Sequence, residues 1–137
     1  MSNVKASDRK PNRLEVFLKT RQLCIYTLTI TANEKVFPAQ FYRSMTSRLE
    51  ALAVRIHEQC WKANNIMAKS AEGMAARKAL QDSAIADCQA FLALLDVAKG
   101  LFHLASKRVE YWTGLIIETR NLIRGWRESD TKRSKGM

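Results

Sequence analysis

The chain has 137 residues, 47% of them hydrophobic, enough for one domain with a continuous core and no need of disulfides or a structural metal. Its 23 Lys and Arg outnumber 13 Asp and Glu, for a formal net charge of +10, which points toward acidic polymers as partners. No apolar run approaches the ~20 residues that span a bilayer, and the opening MSNVKASDRKPNR lacks the apolar core of a signal peptide, so the expected setting is the cytosol, with no membrane partner.

Two prolines and five glycines leave few places to break a helix, so the expected class is all-α. Residues 1–11 read as a flexible leader. The first helix is expected from about Asn12, a plausible N-cap, to about Glu34. Leu14, Phe17, Leu18, Ile25 and Leu28 recur at its period and read as the buried stripe, interrupted at Arg21. The β-branched run from Thr27 to Thr31 would suit a strand, but a lone strand has no partner in this sequence. Pro38 ends the segment, because the residue before proline is pushed out of the α region, and Phe37 is expected to fold back as an apolar plug.

A second helix begins near Ser44, with Met45, Leu49, Leu52, Ile56, Ala63 and Ile66 at intervals of three and four and Gln59 in a core-type position. Beside that stripe Arg48, Arg55, Lys62 and Lys69 stand at a strict seven-residue interval, the spacing of a linear positive edge. Asn64-Asn65 reads as the helix end and Gly73 as a stop. The third helix runs from about Ala75 to His103 with Leu80, Ala84, Cys88, Phe91, Leu95, Ala98 and Phe102 on one face. Gly100 inside it costs about 1 kcal/mol relative to alanine, and a close helix contact is one reason to tolerate it. The fourth, capped by Ser106, carries Val109, Trp112, Ile116, Thr119, Ile123 and Trp126, and residues 128–137 read as a flexible basic tail. Four amphipathic helices on short loops bury their faces most simply as an antiparallel up-down four-helix bundle over residues 12–127. Leu101, Ile117 and Leu122 lie off the seams and point to self-association.

Catalytic chemistry finds little support. His57-Glu58-Gln59-Cys60-Trp61 begins like the helical zinc motif His-Glu-x-x-His but has Trp61 where the second ligand belongs. Neither histidine stands in a Glu-x-x-His pair, and Asp82, Asp87 and Asp96 are not spaced to converge. No catalytic residue, metal site or cofactor is therefore expected, and Cys24, Cys60 and Cys88 read as reduced core thiols. Binding is better supported. Arg120, Arg124 and Arg127, four and three apart, form a second one-sided array that Lys132, Arg133 and Lys135 extend. Such cations neutralise phosphates and release counterions, and arginine forks suit phosphate oxygens. The competing reading pairs them with acids on neighbouring helices, but acids are too few to match them all. The excess of cations lies toward the two ends of the sequence, so first and last helices packed side by side would make one basic surface. Trp112 and Trp126 on the apolar seam favour backbone over base recognition.

Phe37-Pro38, Arg48-Leu49-Glu50, Ala63-Asn64-Asn65, Lys107-Arg108-Val109-Glu110-Tyr111 and Leu122-Ile123-Arg124-Gly125-Trp126, in that order and spacing, resemble the accessory variability determinant of diversity-generating retroelements. That family shares a four-helix-bundle superfamily with proteins encoded in intervening sequences of 23S rRNA genes. The resemblance covers about Arg13 to Arg127, with Arg124 where family members often have a second glycine. It implies a basic, non-catalytic, cytoplasmic bundle of bacterial or phage origin that assembles as a homopentamer. It further implies binding to the retroelement's reverse transcriptase and template RNA, and possible contact with cDNA, in support of adenine-directed mutagenic cDNA synthesis. An intervening-sequence-type bundle of unknown role, or a basic membrane-surface bundle, are the alternative expectations.

Overall fold

The computed structural model describes residues 13–135; the expected leader at residues 1–11 lies outside them. Four α-helices account for most of this span, α1 (Arg13–Thr31), α2 (Ser47–Asn65), α3 (Ala71–Phe102) and α4 (Ser106–Lys135), and the described residues contain no strand. The β-branched run ending at Thr31 is helical. α1 packs on α2 and α4, and so does α3, which leaves α1 and α3 at opposite corners of an antiparallel up-down bundle. Cross-helix bonds show the direction: Arg13 reaches Asn64, whereas Thr31, at the other end of α1, reaches Glu50.

The seams of three helices follow the sequence pattern. Leu49, Leu52, Ile56 and Ala63 of α2, Ala84, Cys88, Phe91, Leu95 and Ala98 of α3, and Trp112, Ile116, Ile123 and Trp126 of α4 are all buried. Phe37 is the expected plug, set edge-on to Phe102 and Trp112. A 3-10 turn (Ala39–Phe41) and a π turn (Tyr42–Thr46) then lead into α2, so its regular part begins at Ser47, three residues after the sequence-based start.

α1 reverses its sequence-based reading. Its buried face is Val16, Thr20, Leu23, Thr27 and Thr31, whereas Leu14, Leu18, Ile25 and Leu28 are exposed. Hydrogen bonding accounts for the choice. Thr27 Oγ1 accepts from the buried Trp112 Nε1 at 3.0 Å, Thr31 Oγ1 donates to Glu50 Oε2 at 2.7 Å, and Thr20 Oγ1 lies 2.7 Å from His57 Nδ1. Turning the leucines inward would strand those polar groups, at about 1–3 kcal/mol for each buried one left unmade.

Two other boundaries differ. Gly73 does not stop a helix. It sits in the first turn of α3, its N–H donating to the Oγ of the N-cap Ser70 at 3.0 Å, and a Cβ there would run into the backbone carbonyl of Met67. Gly100 faces open space, so no close helix contact explains it. The supposed tail from Glu128 is helical through Lys135, with Asp130 only 3% exposed. Its carboxylate is held against α3. Oδ1 accepts from Arg77 Nη2 at 3.0 Å, Oδ2 accepts from Gln81 Nε2 at 2.8 Å, and Arg133 closes on Oδ1 from the same helix. Arg77 Nε lies 2.7 Å from Oδ2 but off the line of its N–H, an ion contact rather than a further hydrogen bond. The Arg77 guanidinium also lies over the Trp126 ring, 5.0 Å from its centre.

Candidate nucleic-acid interface

The two predicted cation arrays meet on opposite sides of one helix. On α2, Arg55 donates to Asp87 of α3 through Nε at 3.0 Å and Nη2 at 3.2 Å, which fixes that edge of α2 against α3. Arg48, one heptad earlier, lines a groove with Arg55, Leu52, Ala90, Leu94 and Val97, and Lys62, one heptad later, keeps the same side. On α4, Arg120 donates to Gln89 Oε1 of α3 at 3.0 Å and Arg127 pairs with Asp82 of α3. The α4 row thus borders α3 from its other flank. Neighbouring helices lie 8–10 Å apart, which puts α2 and α4 about 11–14 Å apart across the bundle. Between the rows the outer face of α3 is low, with Ala79, Ser83, Ala86, Ala90 and Ala93 exposed.

This differs from a basic surface shared by the first and last helices. α1 and α4 do pack together, but their contact is edged by the Lys19–Glu118 ion pair at 2.7 Å and the Gln22–Tyr111 bond. The arrays lie beside α3.

Three corrections apply to individual positions. Lys69 is not on α2, which ends at Asn65, and it sits exposed in the α2–α3 connection, so the heptad row holds Arg48, Arg55 and Lys62 only. Lys132 and Arg133 are on α4, but the line through Arg120, Arg124 and Arg127 continues at Thr131 and Lys135. Arg133 instead turns to Asp130, which leaves Lys135 as the cation that extends the row. One residue escaped the sequence reading: Lys78 on α3 lines a cavity of about 150 Å³ together with Arg127, Gln81, Asp130, Thr131 and Ser134. Its only signal is its position four residues before Asp82, which places both on the side of α3 facing α4.

The electrostatics are partly spent and partly free. Asp87 neutralises Arg55, holding its guanidinium more firmly in the charged form through hydrogen bonding, and Asp82 neutralises Arg127. The pairing with neighbouring acids therefore holds for two of the six. Arg48, Lys62 and Arg124 are exposed and make no ion pair with any described residue, and Arg120 bonds only to neutral amides. No large aromatic side chain is exposed on this face. Trp112 and Trp126 are in the core, and the exposed Trp61 and Tyr111 lie against Phe17 and Tyr26 of α1. The arrangement offers fixed cations for phosphate oxygens and no stacking platform for bases.

His57 is held by Thr20, and burial, followed by Arg21, lowers its pKa below the usual imidazole value. Burial raises all three thiols, Cys60 and Cys88 to about 12, with Cys88 and Asp87 respectively as the next causes. Among the described residues no three His, Cys, Asp or Glu gather as a metal site, and no helix is long and apolar enough to cross a membrane. No family model, curated protein or solved structure matches the chain.

Proposed function

We propose that this protein is a non-catalytic accessory subunit of a diversity-generating retroelement, of the accessory variability determinant type, that binds template RNA and the reverse transcriptase in mutagenic cDNA synthesis. The observation that carries the RNA-binding part is the convergence of two cation rows on the flanks of α3, with Arg48, Lys62 and Arg124 left without acidic partners. Cations on rigid helices bind phosphates without the cost of ordering a flexible segment. The retroelement part rests on the ordered motifs from Phe37-Pro38 to Gly125-Trp126, which also underlie the expectation of a cytoplasmic homopentamer.

The test replaces Arg48, Arg55 and Lys62, or Arg120, Arg124 and Arg127, with glutamine. Each variant is titrated with the template RNA across a range of salt and used in co-purification with a reverse transcriptase encoded beside the gene. Wild-type affinity should fall with salt at about −0.7 log units per log unit and phosphate contacted on single strands. Each triplet should lower RNA or polymerase association and cDNA yield while helicity and mass stay constant. Salt-independent binding, or triplets that behave as wild type, overturns the RNA-binding part. The absence of a reverse-transcriptase gene and variable repeats nearby overturns the retroelement part.

A further inference from the structure

We infer that the groove between α2 and α3 is a binding site for a free single-chain amphiphile with one anionic end, a fatty-acid-like carboxylate whose headgroup Arg48 holds. The recess measures about 500 Å³, a volume typical of small-molecule sites. Apart from Arg48 and Arg55 its lining is wholly aliphatic, with Ala51 and Leu52 on the α2 side and Ala90, Leu94 and Val97 on the α3 side. The sequence explains the hollow. Leu52, 7% exposed, and the half-buried Leu94 sit at the helix contact, while the exposed Ala51 and Ala90 at its margin are too short to cover them. Val97, 53% exposed, leaves an apolar wall open to water. Surface that is apolar within and charged at the rim has the composition of a ligand site.

Charge selects the occupant. Two cations and no acid line the recess. Arg55 is bound to Asp87 through both Nε and Nη2, whereas Arg48 makes no ion pair with any described residue. One open guanidinium beside aliphatic walls calls for one anionic group on an apolar body, and the two oxygens of a carboxylate match its fork. Size sets the rest. Arg48 and Arg55 stand one heptad apart, about 10 Å along the helix axis. The hollow therefore takes a chain of about eight carbon–carbon bonds laid along it. A docked helix, about 10–12 Å across with its side chains, would rest on the rims of two helices whose axes are about 8–10 Å apart. A flat bilayer surface would not enter either, whereas a flexible single chain does.

The site gives Arg48 two competing partners. A carboxylate bound there occupies a cation of the α2 row, so an RNA phosphate loses that contact while the amphiphile is present. The bundle then holds RNA less tightly as the amphiphile accumulates. This competition rests on the RNA-binding reading above; the amphiphile site does not.

The experiment titrates the full chain with decanoate below its micelle concentration, and with octanoate, hexanoate and decanol, following amide chemical shifts. Decanoate should saturate at one per chain, with the shifts concentrated in residues 48–55 and 90–97. Affinity should fall by about two- to fourfold for each methylene removed from the carboxylate series. Arg48→Gln should weaken decanoate at least fivefold and leave decanol unchanged. Ala51→Gln/Ala90→Gln, at exposed positions that circular dichroism should find equally helical, should weaken both ligands. Decanoate that does not saturate, hexanoate that binds as tightly as decanoate, or wild-type decanoate affinity in either variant overturns the site. So does flotation with phosphatidylglycerol vesicles by a chain that ignores decanoate, which would assign the recess to a membrane. Decanoate, and not decanol, should also weaken binding of the template RNA. Unchanged RNA affinity at saturating decanoate overturns the competition alone. If wild type binds no RNA at low salt, the RNA-binding reading fails and the competition with it, while saturable decanoate binding lost in both variants still supports the site.

Discussion

Asp130 shows how one side chain extends an element. Without a buried partner, the last two turns of α4 would be a polar stretch with nothing to hold it; with Arg77 and Gln81 the carboxylate fastens them to α3. Both ion-pair side chains are 4% exposed, so removing one partner leaves a desolvated charge. Asp130→Ala should therefore destabilise the protein by about 3–5 kcal/mol, read from denaturant midpoints, whereas Arg77→Met combined with Asp130→Leu should cost far less or nothing. The sequence hid this pair. Asp130 stands in a polar, charged run and Arg77 beside Lys78 among alanines, and no periodicity marks a pair 53 residues apart as buried. His57 gives the pH dependence. Its folded-state pKa is lowered, chiefly by burial, so the unfolded chain takes up a proton first as pH falls. Stability is full above the unfolded value of about 6.5 and should decline below it, until the folded imidazole also titrates. Urea midpoints between pH 7.5 and 5.5, with the pH dependence reduced in His57→Gln, would check this.

Among the helices, α2, α3 and α4 were legible because their buried faces are aliphatic and aromatic at helical spacing. α1 was not. Its period was read correctly and its direction inverted, because hydrophobicity ranks leucine above threonine, whereas Trp112 Nε1, His57 and Glu50 are met by hydroxyl groups that can accept from the first and donate to the last. The glycines of α3 were misread for a related reason, since a sequence shows that a glycine is present and not what surrounds it. Alanine normally gains about 1 kcal/mol over glycine within a helix. At Gly100, with open space around it, Gly100→Ala should raise stability by about that amount. At Gly73 the Met67 carbonyl blocks the new methyl group, and Gly73→Ala should lower stability instead. Thermal melts of the two single variants should move in opposite directions.

For the whole molecule, the number and spacing of cations were visible in the sequence and their common destination was not. Heptad spacing placed Arg48, Arg55 and Lys62 on one edge, and it could not show that the α4 row flanks the same helix. That depends on which helices are neighbours. Once α4 is known to be helical to Lys135, a comparison of rows with tail becomes informative. Deleting residues 131–137 removes Lys132, Arg133 and Lys135. Because Arg133 is bound to Asp130 and Lys132 lies off the row, the deletion takes only Lys135 from the row and should reduce RNA affinity less than either glutamine triplet does. An equal or larger loss in filter binding would shift the site to the end of the bundle.

The threonine-lined face of α1 also determines how the native state breathes. α1 contributes Val16 and Leu23 as its fully buried aliphatic side chains, whereas the other helices bury longer aliphatic and aromatic series. The helix that buries least apolar surface has least to lose by detaching, so local opening should begin there while the other three stay folded. Amide hydrogen exchange should find protection in Arg13–Thr31 lower than in the middle of α3 or α4.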